Sequence, residues 1–143
     1  MQKLVILGGS GIGMIAASIA NDLGCYQVLG FMNDYYEPGY LIGKYKKYPV
    51  LGGTELLAGF LEDDEVMVFI AYVGLQREKE TFEKVESLNI PRDRLATLIH
   101  PTAIIPTGMC SIGCGVLMAP LSQLSPDTTI HDNCILLPNS FVG

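Results

Sequence analysis

Residues 112–142 read IGCGVLMAPLSQLSPDTTIHDNCILLPNSFV, and an aliphatic residue or methionine returns at every sixth position: Ile112, Met118, Leu124, Ile130, Leu136 and Val142. The residues four places after each of the first five, Val116, Ser122, Thr128, Cys134 and Ser140, are small. A helix repeats its faces about every 3.6 residues and a strand every 2, so neither produces this pattern. A six-residue period with one inward aliphatic and one small residue per unit predicts a hexapeptide β-helix, each unit forming one face of a triangular coil. Three units complete a turn, so the tail supplies fewer than two turns. Such a stub buries too little to order itself, and it is expected to need more coils, a partner chain, or a neighbouring domain against its side.

Working outward, the preceding residues alternate between strand and helix patterns. Lys3 to Leu7 is β-rich, and Gly8-Gly9-Ser10-Gly11-Ile12-Gly13 opens a segment whose apolar residues recur at helical spacing up to Gly24. Tyr26 to Met32 predicts a second strand ending in Asn33-Asp34. Tyr35 to Lys47 reads as a polar, tyrosine-rich loop. A third extended piece ends at Gly53, Thr54 is expected to cap a helix to about Leu61, and Val66 to Ala71 is apolar throughout, as a central parallel strand should be. Gln76 to Leu88 predicts an amphipathic helix stopped by Asn89-Ile90-Pro91. The fold class expected is α/β. It comprises a small Rossmann-like parallel sheet covered on both faces over residues 1–98, then the first coils of a left-handed parallel β-helix over residues 99–143.

The glycine turn has a chemical reading. Glycines let the backbone approach an anion closely, while the free N–H groups of the following helical turn point at it. Asp34 lies about twenty-five residues beyond the first glycines, where a dinucleotide fold places an acid on a ribose hydroxyl. The spacing is Gly8-x-Ser10-Gly11-x-Gly13, not a clean G-x-G-x-x-G. A nucleotide-phosphate site and simple turn chemistry therefore both remain open. Lys44, Lys46 and Lys47 likewise read either as diphosphate contacts or as a solvated basic turn.

Composition narrows the classes. Nine basic against fifteen acidic residues, a net charge of -6, offer no basic stripe for nucleic acid. The longest apolar run, Val66 to Leu75, is half of what a bilayer crossing needs, so no membrane partner is expected. Glycines interrupt the would-be apolar core of a signal peptide between Gly8 and Gly13. Cys25, Cys110, Cys114 and Cys134 lack a disulfide framework spacing and read as thiols of a reducing, cytoplasmic protein. A zinc site from Cys110, Cys114, His131 and Cys134 has no usual knuckle spacing, and no metal is expected.

The glycine turn, the strand end Phe31-Met32-Asn33-Asp34, and Ile99-His100-Pro101-Thr102-Ala103 leading into hexapeptides together resemble the PglD/NeuD-type sugar acyltransferases along the whole chain. The resemblance implies an N-terminal domain that binds a nucleotide-linked amino sugar, a trimerising β-helix, acetyl-CoA lying along it between subunits, and a histidine as general base. It carries Gly8, Gly9, Ser10, Gly11 and Gly13 over to the nucleotide-cradling turn, and Asn33 and Asp34 to the pair contacting nucleotide or sugar. Arg77 goes to the arginine opening the helix after the fourth strand, one residue out of step. Ile12 stands where that family often has histidine, and Asn33 replaces an acid. The family's catalytic histidine follows the unit that ends here at Gly143, so no catalytic residue is assigned and the 143 residues are expected to be inactive alone. Two other readings stand beside this one: an NAD(P)-binding Rossmann module, and a non-catalytic interaction or regulatory protein.

Overall fold

In a computed structural model describing residues 1–143, the apolar run near the start of the chain becomes the central strand of a sheet. Strand β1 (Gln2–Leu7) pairs in parallel with β2 (Tyr26–Met32) on one side and β5 (Val66–Ile70) on the other. Beyond β2 lies β4 (Tyr48–Gly52), also parallel. The polar loop holds one element that its composition hid, the two-residue edge strand β3 (Leu41–Ile42), antiparallel to β4. It buries Ile42 against the sheet's main core.

Alternate residues of β1 feed two different cores, as the period of 2 requires. Leu4 and Ile6 face α1 (Ile12–Leu23), meeting Ala16, Ile19, Ala20, Phe31 and Phe69. Val5 and Leu7 face the other way, meeting Met32, Leu57, Val68 and Ile70, with Val85 and Leu88 packed against them. That second face is covered by the short α2 (Leu57–Phe60) and by α3 (Glu78–Ser87). The sheet is thus covered on both sides. Helix α1 stops at Gly24, whose left-handed backbone (φ 70°) lets its N–H reach the Ala20 and Asn21 carbonyls.

Two helix boundaries differ from expectation. Thr54 does not cap a helix; Thr54–Leu56 is a 3-10 turn entered from Gly53, because both the Thr54 N–H and its hydroxyl are bonded to Asp34. Helix α3 begins two residues late, since Gln76 turns the chain with φ 63° before Arg77 takes the N-cap position.

From Leu98 the chain forms two-residue strands only: β6 (Leu98–Ile99), β7 (Ser111–Ile112), β8 (Leu117–Met118), β9 (Gln123–Leu124), β10 (Thr129–Ile130), β11 (Ile135–Leu136) and β12 (Phe141–Val142). Ser111 pairs in parallel with Thr129, Leu117 with Ile135, and Gln123 with Phe141, each eighteen residues on, so three hexapeptides make one circuit. Between strands the corners repeat as well. Gly115, Leu121, Asp127, Asn133 and Asn139 all have φ between 60° and 71°. Gly, Asn and Asp tolerate that left-handed conformation, which is why they recur there. Met118, Leu124, Ile130 and Leu136 fill the coil interior together with Val116.

Leu98, Leu117 and Ala119 point out of the coil and join the α1 side of the sheet core. The coil therefore packs against the α/β unit, the third of the expected remedies for a short stub. Polar ties reinforce the join. Arg92 grips Asp132 through two bonds of 2.8 and 3.0 Å, and Asp132 accepts the Cys114 N–H at 2.8 Å. His100 Nε2 lies 3.2 Å from Asp22 at the end of α1, while Nδ1 accepts the Thr102 N–H at 3.1 Å. No helix is long and apolar enough to cross a membrane.

Candidate functional site

The sheet order β3-β4-β2-β1-β5 places the chain's reversal between β1 and β5, and ligands of open α/β sheets bind outside the carboxyl ends of strands at such a point. A cavity of about 360 Å³ lies there, within the usual size of small-molecule pockets. Its floor is Gly8 and Gly9 after β1, one wall is Asn33 and Tyr35 after β2, and another is Ala71, Tyr72 and Val73 after β5. The last wall is one face of α3: Arg77, Glu80, Thr81 and Lys84 recur at spacings of three and four and therefore lie together.

Each glycine has its own reason. Gly8 (φ 131°) brings the end of β1 against Ala71, where a Cβ would sit 3.3 Å from the Ala71 Cβ. Gly9 leaves room for the Asn33 amide, 3.2 Å from where its Cβ would be. Gly13 is different: a Cβ there would lie 2.7 Å from the Phe31 ring, so it serves helix-to-sheet packing. Of the residues expected to bind a ligand, Gly8, Gly9, Asn33 and Arg77 line the cavity, whereas Ser10, Gly11, Gly13 and Asp34 do not. Ser10 and Gly11 still open α1, which has neither a side-chain cap nor an acid in its first turn, leaving its leading N–H groups free for an anion.

Asn33 donates its amide N–H to the Gly8 carbonyl at 3.1 Å and accepts the Tyr35 N–H at 2.8 Å. An ionised acid, which only accepts, would face that carbonyl with no proton to offer. The amide thus suits the turn as built. Asp34 accepts from the Thr54 N–H at 2.8 Å and from Lys84 Nζ at 2.7 Å. Lys84, then Thr54, hold its carboxyl below the usual carboxylate range. Partial burial pulls Lys84 down, but the Asp34 hydrogen bond and Tyr72 more than offset it, and its ammonium is raised. Tyr72, 5.1 Å beneath that ammonium, has its phenol raised by burial, which Lys84 opposes.

Sequence reasoning missed Tyr35, Tyr72, Thr81 and Lys84. The signal available was the helical spacing from Arg77 to Lys84 on the polar face of α3. Its titratable lining consists of Tyr35, Tyr72, Arg77, Glu80 and Lys84, with no histidine or cysteine. His100 is tied to Asp22 and Thr102, and His131 is exposed on the coil. No three His, Cys, Asp or Glu side chains gather as metal ligands. A second hollow of about 450 Å³ shares Tyr72, Val73 and Thr81 with the first and runs to Asp132 and Asn133 on the coil. Larger hollows beside Lys3 and Phe60, about 560 Å³, and beside Asp34 and Ser87, about 680 Å³, do not touch the glycine turn.

Fold and cavity define an α/β unit with a hollow at its strand reversal, carrying a short parallel coil. The model of the PglD N-terminal domain matches residues 3–85, and the chain belongs to that family. No curated protein matches it. Among solved structures it resembles the acetyltransferase domain of PglB from Neisseria gonorrhoeae FA1090 in complex with acetyl coenzyme A, with a TM-score of 0.72 and 23% identity over 98% of this chain and 66% of that one. It also resembles PerB from Caulobacter crescentus in complex with CoA and GDP-perosamine, with a TM-score of 0.74 and 22% identity over 99% of this chain and 63% of that one. A mutant of that perosamine N-acetyltransferase with the same ligands gives 0.76 and 21%, again over 99% and 63%. The chain thus spans less than two thirds of the length of these proteins.

Proposed function

We propose that this chain is the nucleotide-sugar-binding part of an acetyl-CoA-dependent sugar acetyltransferase. In this reading residues 1–98 form the binding domain and residues 99–143 are the first coils of a left-handed parallel β-helix, the element through which such a protein would trimerise and hold acetyl-CoA. The observation that carries it is the cavity at the strand reversal, floored by Gly8 and Gly9 and flanked by the cations Arg77 and Lys84. The phosphates lie at the glycine turn and the free first turn of α1. The sugar extends through the hollow shared by Tyr72, Val73 and Thr81 towards the coil. Family membership and the ligands of the structural relatives support the substrate class. Neither histidine reaches the cavity, so these residues bind the sugar nucleotide and do not transfer acetyl to it.

An NAD(P)-binding module is weakened by Asp34, whose carboxylate is engaged by Thr54 and Lys84 and is not free for a ribose hydroxyl. Isothermal titration calorimetry with UDP- and GDP-linked amino sugars and with NAD(H) separates the two. Heat with a nucleotide sugar and none with NAD(H) is the expected result, and the reverse overturns the proposal.

A further inference from the structure

Helix α3 is seated on the sheet far more lightly than α1. Five residues of α1 are buried, Gly13, Ala16, Ala17, Ile19 and Ala20, whereas α3 buries none. Val85 and, at the C-cap, Leu88 pack against the core, and both stay partly exposed. The backbone hydrogen bonds of the helix and its flanks close within residues 74–89. A single side-chain hydrogen bond leaves α3 for another element, that of Lys84 to Asp34. Arg77, at the N-cap, has a side chain 74% exposed and meets only Glu80 of its own helix, at 4.0 Å.

Four hollows share residues of this helix. The cavity at the glycine turn lies on the face of Arg77, Thr81 and Lys84, and the hollow of about 450 Å³ lies beside Phe82. Two more, of about 430 and 680 Å³, reach Glu86 and Ser87. An element with voids along its flanks and few buried apolar contacts opens at low free energy. Both ends of α3 also turn through left-handed residues, Gln76 (φ 63°) and Asn89 (φ 49°). Hinges are a few such positions at the ends of an element, where the backbone absorbs the rotation.

We propose that α3 is a lid over the cavity, hinged at Gln76 and Asn89, which rests on the Lys84–Asp34 bond in the free protein and swings toward the glycine turn when a diphosphate arrives. The proposal rests on the nucleotide-sugar reading above. A ligand shifts an equilibrium only by binding one state better than the other. The cations carried by the lid supply that difference, because closure brings Arg77 and Lys84 onto the phosphates in charge-assisted hydrogen bonds. Arg77 gains a partner outside its own helix, and Asp34, which competes for Lys84, sets the resting position.

Two measurements test the lid. In the ligand-free wild-type chain, the amides of Glu78–Ser87 are expected to exchange at least about ten-fold faster than those of Ala16–Leu23 in α1. The second uses an indole as reporter. The chain has no tryptophan, and Phe82 is 65% exposed and does not line the cavity at the glycine turn. Phe82→Trp therefore reports on the helix and not on direct contact with phosphate. Inorganic pyrophosphate, UDP and GDP are titrated into this variant with calorimetry alongside, and the expected result is an emission shift that saturates at the calorimetric midpoint. Amides of α3 as well protected as those of α1 overturn the lid before any ligand is added. Calorimetric binding with no change at the indole also overturns it, and leaves the nucleotide-sugar reading standing. No heat from any of the three, nor from a UDP- or GDP-linked amino sugar, overturns both.

Discussion

Lys84 Nζ lies 2.7 Å from Asp34 Oδ2, a bond that joins α3 to the end of β2 across fifty residues of sequence. Asp34 also holds Thr54, so one carboxylate fastens three segments around the cavity's edge. Its energetic contribution is modest. Both side chains keep about a third of their surface exposed, 35% for Asp34 and 37% for Lys84, and solvent screens such a pair.

The pair sets a pH dependence. Asp34 is depressed, so its stabilisation is fully present above the ordinary carboxylate value of 3.8 and lost as pH falls through its lowered value. Lys84 is raised, so its stabilisation is fully present below 10.5 and lost as pH rises through its raised value. Asp34→Asn is expected to cost about 1 kcal/mol or less at neutral pH. In urea unfolding, the gap from wild type should close in acid, below the lowered Asp34 value. A gap that persists there would show that the charge is not what matters.

Two glycine-to-alanine changes in helices should have opposite signs. At Gly13 the new Cβ meets the fully buried Phe31 ring at 2.7 Å, and overpacking costs about 1–3 kcal/mol. At Gly59, in α2, nothing lies within 4 Å, and alanine should stabilise by about 0.5–1 kcal/mol through helix propensity and a less flexible unfolded chain. Thermal melts of both variants read the contrast. A Gly13→Ala protein as stable as wild type would mean that the Phe31 ring gives way to the methyl and that the packing does not require glycine there.

Leu121 is the one aliphatic residue among the left-handed coil corners, with φ 62° and half its surface exposed. For an L-residue with a carbon branch this conformation costs about 1–2 kcal/mol, and asparagine bears it better. Leu121→Asn is expected to raise the unfolding midpoint. A lower midpoint would point to a contact of the leucine side chain that outweighs the strain.

The Arg92–Asp132 pair should be visible in exchange, not only in stability. Asp132 Oδ1 accepts the Cys114 N–H at 2.8 Å, so Asp132→Ala leaves that amide without its side-chain acceptor. Hydrogen exchange at Cys114 is expected to speed up, while the amide of Leu117, bonded to the Cys134 carbonyl at 2.9 Å, keeps its protection. Faster exchange at both would mean that the whole coil had loosened.

Much of the fold was written in local patterns. The strand expected at Tyr26 to Met32 is β2 to the residue, because alternation and bounding turn signals act over neighbouring positions. The six-residue period named the residues that fill the coil, since each corner resets the chain in the same way. The edge strand β3 escaped notice because two residues are too few to show a period. Thr54 was misread because its partner, Asp34, lies twenty residues away.

The candidate site divides along the same line. The glycine turn could be read locally, because close backbone approach needs glycine whatever surrounds it. Which glycine meets the cavity and which meets Phe31 could not, for that depends on where β2 and β5 bring their ends. Lys84 gave only the helical spacing it shares with Arg77, since its place at the cavity follows from where α3 lies against the strand ends.

By itself, then, the sequence determined the elements whose causes are short-range: the strands, the glycine-headed helix, and a coil with its inward residues. Only the tertiary structure decided that Leu98, Leu117 and Ala119 lay the coil against α1, and that Asn33, Arg77 and Lys84 converge on one cavity. The reason is physical. Periodicity and turn chemistry act between residues a few positions apart, whereas burial and ion pairing act between whichever surfaces the packed chain brings within contact.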